Sequence, residues 1–193
     1  MSVRMSILAM LAAQPSYGYL LRAEFDRRTG SGTPLNVGQV YKALELLERD
    51  GYATRSAHTD DDGHVFYEAT AEGSAAVSRW LATPETGSGG GRSDLATKVA
   101  IACSVPGIAI EPILETQRAS ARARRSQLDA ETIPTSGGIG PQLVADATTF
   151  DLEAELRWLD QVEARVRAAR ESGEPLHVPF DLDPPRRGRP AKV

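Results

Sequence analysis

Five residues within a stretch of seven carry chemistry suited to reading a nucleic acid: Asn36, Gly38, Gln39, Tyr41 and Lys42. A glutamine amide can pair with adenine, a lysine ammonium with guanine or a phosphate, and a tyrosine hydroxyl with a phosphate oxygen. Glycine removes side-chain bulk, so a phosphate or a base edge can come close to the backbone. Projected at about 100° per residue, residues 36–51 place Val40, Leu44 and Leu47 on one side, with Val37 and Ala43 at its margins. Lys42 and Arg49 fall opposite, with Gly38 and Glu45, and Gln39 and Tyr41 flank that face. A helix that reads base edges does so chiefly with its N-terminal residues. Asn36 stands at the N-cap position and Gln39 three residues on, close to a capping box. Capping is therefore the competing use of Gln39, and packing that of Tyr41.

Other chemistry is scarce. Cys103 is the single cysteine, which excludes an intramolecular disulfide framework and a cysteine-based zinc site. His58, His64 and His177 do not stand at metal-ligand spacing. There is no nucleophile elbow or phosphate loop, so neither an enzyme nor a cofactor nor a metal site is expected. The 193 residues are 41% hydrophobic and 25% charged, enough for a packed core. No apolar run approaches the ~20 residues of a bilayer span, and the short run from Ile7 to Ala13 lacks a cleavage pattern, so a cytoplasmic protein without a membrane partner is expected. The net charge of -4 is uneven: residues 1–83 carry -2, residues 84–183 carry -6 and residues 184–193 carry +4. A globally acidic chain can still bind nucleic acid where basic groups concentrate.

The elements that must position these residues can be read from periodicity and breaks. Residues 4–13 read as a buried helix, and Gln14-Pro15-Ser16 as a break with Ser16 placed to cap a second helix over about 17–28. A loop at 29–34 leads to the helix that starts at Asn36 and ends near Gly51. Residues 52–58 and 64–70 alternate as strands around Asp60-Asp61-Asp62-Gly63, a hairpin signal. A fourth helix spans about 71–82. The order helix, helix, helix, hairpin, helix is that of a winged helix-turn-helix. The expected organisation is a DNA-binding domain at 1–84, a Gly-rich linker at 85–91, a helical dimerisation domain at 92–172 and a flexible Pro-rich basic tail at 173–193. The fold class is mainly α with a two-stranded wing.

Two segments, Pro15-Ser16-Tyr17-Gly18-Tyr19-Leu20 and the run from Val37 to Tyr52 with its Gly38-x-x-Tyr41-x-x-Leu44-x-x-Leu47-Glu48-x-x-Gly51 spacing, resemble the PadR family of bacterial transcriptional regulators. Phe66-Tyr67 followed by Thr70, Glu72 and Gly73 is similar to that family's second wing strand and next helix, and Trp158-Leu159 to its C-terminal region. The resemblance is specific over residues 5–80 and loose over 92–170. It implies a dimeric winged-helix protein, usually a repressor, whose C-terminal helices dimerise; some members release DNA on binding a small molecule. Tyr17, Tyr19, Arg55 and His64 thereby join the DNA-binding candidates, with His58 beside them on the wing. The wing tip departs from the family's commonly basic one: Asp60, Asp61 and Asp62 would repel nearby phosphates.

In the last helix Leu152, Leu156, Leu159 and Val166, with Val162 beside them, form a heptad seam expected to meet a second chain. Packing on its own domain is the alternative. Trp80, Cys103, Phe150 and Trp158 are candidates for an effector pocket, with ordinary core packing as the competing reading. Pro184-Pro185-Arg186-Arg187-Gly188-Arg189-Pro190 resembles an AT-hook, in which Arg187 and Arg189 would enter the minor groove and Gly188 would allow close approach. The expected function is a homodimeric repressor that binds a pseudo-palindromic operator on double-stranded DNA. The alternative is a winged-helix adaptor that docks on protein.

Overall fold

A computed structural model describes residues 2–30, 34–59, 63–86, 94–130 and 138–182, with the side chains of residues 57–59 left aside. The wing tip carboxylates, the His58 side chain and residues 183–193 of the basic tail lie outside the described residues.

The first unit comprises Met1–Leu81, Gly90–Ile108 and His177–Val193. Its element order is α1 (Ser2–Ala13), β1 (Ser16–Tyr17), α2 (Gly18–Thr29), α3 (Val37–Arg49), β2 (Ala53–Thr59), β3 (Val65–Ala69), α4 (Ala71–Ala82) and α5 (Asp94–Ser104). Helix α1 is apolar nearly all round because it is buried nearly all round: Ile7, Leu8 and Met10 are fully enclosed. It packs on α2, α3, α5 and β3. Each such side chain contributes about 1.5–3 kcal/mol by leaving water.

The wing is a hairpin of β2 and β3, and β1 adds a third antiparallel strand beside β3, with Tyr17 opposite Phe66. The sequence reading missed β1. Ser16 does not cap α2: it is a buried strand residue whose hydroxyl donates to the Gln14 carbonyl, and α2 starts without a side-chain cap. Beyond α3, Gly51 (φ 74°) ends the helix in a left-handed conformation, and the Tyr52 amide donates back to Leu47 O. Thr70 joins that turn to α4. Its amide donates to Tyr52 O, its hydroxyl donates to Gly51 O and accepts from the Gly73 amide.

The boundary expected at residue 84 is displaced. Helix α5 belongs to the first unit, with Ile101, Ala102 and Val105 enclosed at 0–1% exposure. An amphipathic pattern cannot say which neighbour covers it. Residues 177–182 also return to this unit, so at least that part of the 173–193 segment is held rather than loose.

The second unit comprises Ala82–Gly89 and Ala109–Leu176, with α6 (Glu111–Ala130) and α7 (Gly140–Ser172) paired antiparallel. Arg118 reaches Asp160 and Glu163, Arg124 reaches Glu155, and Arg170 reaches Glu111. Leu152, Leu159 and Val166 are buried and Leu156 and Val162 half-buried within this single chain. The seam expected to meet a second chain is thus largely occupied by its own α6. The large apolar side chains that α7 and its N-cap leave exposed are Ile139, Leu143, Val144 and Phe150.

Candidate nucleic-acid interface

Helix α3 is amphipathic in the sense its sequence predicts. Val40, Leu44 and Leu47 are fully buried and Ala43 nearly so. Asn36, Gly38, Gln39, Tyr41, Lys42, Glu45 and Arg49 are exposed or nearly so. The N-terminus is closed by a full capping box: Asn36 Oδ1 accepts from the Gly38 amide at 2.8 Å, and Gln39 Oε1 accepts from the Asn36 amide at 3.2 Å. Capping therefore engages Gln39, yet its amide nitrogen is left as a donor. The loop before α3 is fixed to α2, since the Leu35 amide donates to Asp26 Oδ1 at 2.7 Å and Leu35 O accepts from Arg22 Nε at 2.7 Å. The N-terminal end of α3 is thereby held from two sides.

Tyr41 is 50% exposed and lies across the start of α2. A β-carbon on Gly18 would stand 2.9 Å from its Cζ and 3.2 Å from its hydroxyl. Glycine at 18 is thus what allows the ring this position. Tyr17 stacks on His64 at 4.2 Å between centroids and meets Phe66 edge-on. This joins the start of α2 to the base of the wing. Tyr19 is half-buried on the same turn.

The basic groups on this side are paired. Lys42 Nζ meets Glu45 at 2.9 Å, Arg49 and Arg4 both meet Asp50, and Arg55 meets Glu48 at 3.0 Å while lying over the Tyr67 ring. The hydrogen bond from Lys42 holds the Glu45 carboxyl below its ordinary range, and that from Arg49 does the same for Asp50. These pairs are exposed to solvent, so each contributes little to stability and opens readily to a phosphate. A cleft of about 400 Å³ runs beside the N-terminal half of α3, lined by Val3 and Arg4 of α1 and by Gly38, Gln39 and Lys42.

The other candidates fare differently. Trp80 and Cys103 belong to the first unit, Phe150 and Trp158 to the second, and Phe150 is 66% exposed. The four do not gather within one unit as a pocket. Arg187, Gly188 and Arg189 lie outside the described residues. Sequence reasoning missed the group Glu24, Arg27 and Arg28 on α2, although its i, i+3, i+4 spacing of opposite charges was visible. It also missed Gly18 as the seat of Tyr41. Among the described residues no cluster of histidine, cysteine or carboxylate side chains could hold a metal ion, and no helix is long and apolar enough to cross a membrane.

Residues 7–79 match the Transcriptional regulator PadR-like family. A probable transcriptional regulator of Mycobacterium tuberculosis is 26% identical over 194 residues, covering 88% of this chain and all of the relative. Among solved structures, a transcriptional regulator from Clostridium thermocellum is 24% identical over 40% of this chain and 75% of its own, with a TM-score of 0.38. PadR of Bacillus subtilis in complex with operator DNA is 19% identical over 84% of this chain and 96% of its own, with a TM-score of 0.40. The matched segment runs from α1 into α4 and so contains α3, its cap and the wing. Over residues 7–79 the chain is similar to the PadR-like family of transcriptional regulators.

Proposed function

We propose that this chain is a homodimeric repressor that inserts the N-terminal half of α3 into the major groove of a pseudo-palindromic operator. The observation that carries this reading is the row Gly38, Gln39, Tyr41 and Lys42, presented on a helix whose opposite face is fully buried and whose N-terminus is locked by a capping box. Lys42 and the Gln39 amide supply base-edge contacts, and Tyr41 supplies a phosphate contact. Arg49, Arg55 and His64 lie on the flanks as positioning contacts. Two copies are required to read a palindrome, and the exposed Leu143, Val144 and Phe150 on α7 supply apolar surface for pairing. Such a regulator works on chromosomal DNA in the cytoplasm. Release by a small molecule fits the family.

The test is selection of genomic fragments by the purified full-length protein, with footprinting of the enriched sites. Two protected half-sites about one helical turn apart are expected. Lys42→Ala and Tyr41→Ala should each weaken binding by about 1–3 kcal/mol without unfolding the protein. Absence of enrichment by a folded dimer would favour the protein-docking alternative, which the acidic balance of the chain also allows.

A further inference from the structure

We propose that the seam between the last turn of α2 and the end of α5 is a peptide-binding site, that residues 177–182 of this chain are its resident ligand, and that its occupancy sets the affinity of α3 for DNA. The site itself stands on contacts within the first unit; its effect on DNA rests on the reading given above.

The seat is built for a peptide backbone. Glu24 is 1% exposed and the Arg28 side chain is fully enclosed. Arg28 donates Nε and Nη2 to Glu24, Nη1 to Ser104 O at 2.5 Å and Nη2 to Val178 O at 2.8 Å. The neighbouring Arg27 donates to both Glu24 oxygens and to Pro179 O at 2.6 Å. In return the Asp181 amide donates to Glu24 Oε1 at 3.1 Å, and the Val178 amide donates to Ser104 O at 3.0 Å. The Phe180 ring lies against the core with the Arg28 guanidinium 4.7 Å from its centroid. Burial alone would raise the Glu24 carboxyl, but the hydrogen bonds from Arg27 and Asp181 and the charge of Arg28 hold it below its ordinary range. Four backbone groups of one short segment are thus received by three side chains and a carbonyl. Main-chain bonds of this kind supply affinity, and a pocket for a side chain supplies the choice of ligand. The ligand class is therefore an extended peptide of the form apolar residue, proline, aromatic residue, here Val178-Pro179-Phe180. Proline suits its place, since it has no amide to satisfy and the seat uses only its carbonyl.

One helix holds both the peptide and the approach to α3. On α2, Arg22 and Asp26 hold Leu35, while Glu24, Arg27 and Arg28 hold the segment. Asp26 and Arg27 are neighbours in the last turn of α2, which closes at Gly30 (φ 58°). The last turn of a helix is the part that frays most easily. The seated segment resists this by tying Arg27 to Pro179 and Arg28 to Val178, and it bonds the end of α5 as well through Ser104 O. With the seat empty, Arg27 and Arg28 each lose an acceptor, Glu24 loses a donor, and the buried pair meets water. Fraying of that turn withdraws the Asp26 carboxylate from the Leu35 amide, and Leu35 directly precedes the Asn36 cap of α3. A filled seat keeps the start of α3 in one arrangement. An empty seat divides it among several, and apparent affinity falls with the competent fraction.

The experiment uses the full chain with only residues 177–182 removed, and a labelled synthetic peptide of those six residues, blocked at both ends, as the probe. Anisotropy should show saturable peptide binding to the deleted protein and far weaker binding to the intact chain, whose seat is filled. A segment tethered in cis acts at an effective concentration in the millimolar range, so peptide at about millimolar concentration should replace it. Against a genomic fragment enriched by the intact protein, the deletion should weaken binding by about fivefold or more, the lower end of ordinary coupling between sites, and the peptide should restore it. By reciprocity, the fragment should tighten peptide binding by the same factor. Because the deletion could loosen the fold, Phe180→Ala in the full chain is the second variant: it leaves α2 and α5 unaltered, and the peptide should restore its DNA affinity too. No saturable peptide binding to either variant, unchanged DNA affinity in both, or a loss that the peptide does not restore would overturn the proposal. Lys42→Ala separates the two readings: if it weakens DNA binding while neither seat variant does, α3 stands and the coupling falls. If the peptide binds but no form of the protein selects DNA, the DNA reading falls and takes the coupling with it.

Discussion

Gly18→Ala should impair DNA binding while leaving the fold intact. The added methyl would stand 2.9 Å from Tyr41 Cζ and 3.0 Å from Cε1, where carbons in ordinary contact keep about 3.5–4.0 Å. The ring must therefore retreat by roughly 0.6–1 Å. It can do so cheaply, because Tyr41 is 50% exposed and moves into solvent. Alanine at the start of α2 also narrows the unfolded ensemble, an offset of about 0.4–1 kcal/mol. Stability should change by no more than about 0.5 kcal/mol, or roughly 2 °C in Tm. The hydroxyl swings with the ring, and a shift near 1 Å exceeds the tolerance of a hydrogen bond to phosphate. Loss of such a bond costs about 1.5–3 kcal/mol, so affinity should fall tenfold or more. Fluorescence anisotropy with an enriched fragment measures it, and Tyr41→Phe completes a double-mutant cycle. If Gly18→Ala acts by moving the hydroxyl, it should add less than about 0.5 kcal/mol on the Tyr41→Phe background. Full additivity, or a Tm drop beyond about 5 °C, would refute the reasoning.

Other contacts carry predictions of their own. A β-carbon at Gly73 would lie 2.0 Å from Tyr52 O, so Gly73→Ala should destabilise by about 2–4 kcal/mol and lower the calorimetric Tm by roughly 5–10 °C. Glu45→Ala frees Lys42 and removes a carboxylate from the proposed DNA-facing side; affinity should rise and the salt slope steepen, with the thermal midpoint unchanged. Glu24 titrates below its ordinary value in the folded chain, so at acid pH the unfolded state binds more protons. Its contribution is therefore present above the ordinary glutamate range and lost as pH falls through the folded value; urea midpoints from about pH 7 to pH 3 should show a loss that Glu24→Gln removes. Leu143→Glu with Phe150→Glu should convert a dimer to a monomer in sedimentation, and a persistent dimer would place pairing elsewhere.

Helix α3 was legible in the sequence because its burial is periodic and local. Val40, Leu44 and Leu47 point one way, Lys42 and Arg49 the other, and Asn36 with Gln39 marks the start. The hairpin was equally plain from alternation and an Asp-Gly turn. What escaped was non-local. A two-residue strand such as β1 has no period to detect, and only its partner Phe66-Tyr67 makes it a strand. The seam of α7 was seen, but a heptad does not name its partner, and α6 of the same chain supplies it. Helix α5 has the same ambiguity. Thr70 and Gly73, noticed through family resemblance, prove to be structural: together with the Gly51-Tyr52 turn they knot α3 to α4.

If the proposed function holds, the charge arrangement bears on how an acidic chain would hold DNA. The cations of the reading side have carboxylates within reach: Lys42 has Glu45, Arg49 and Arg4 share Asp50, and Arg55 has Glu48. Each phosphate contact made by one of them must displace an internal pair and leave a carboxylate behind, so this face gains less from counterion release than bare cations would. Such matching suits discrimination, because a cation already satisfied gains little on the wrong sequence. Sequence-independent attraction must then come from elsewhere, and residues 184–193, with four basic groups and no acidic one, are where the chain concentrates it. On the proposed function, α3 would supply the choice of site and the basic residues 184–193 much of the salt-dependent affinity. The two should separate cleanly. Lys42→Ala should reduce discrimination between operator and random duplex, whereas deletion of residues 184–193 should weaken both alike and leave their ratio within about twofold.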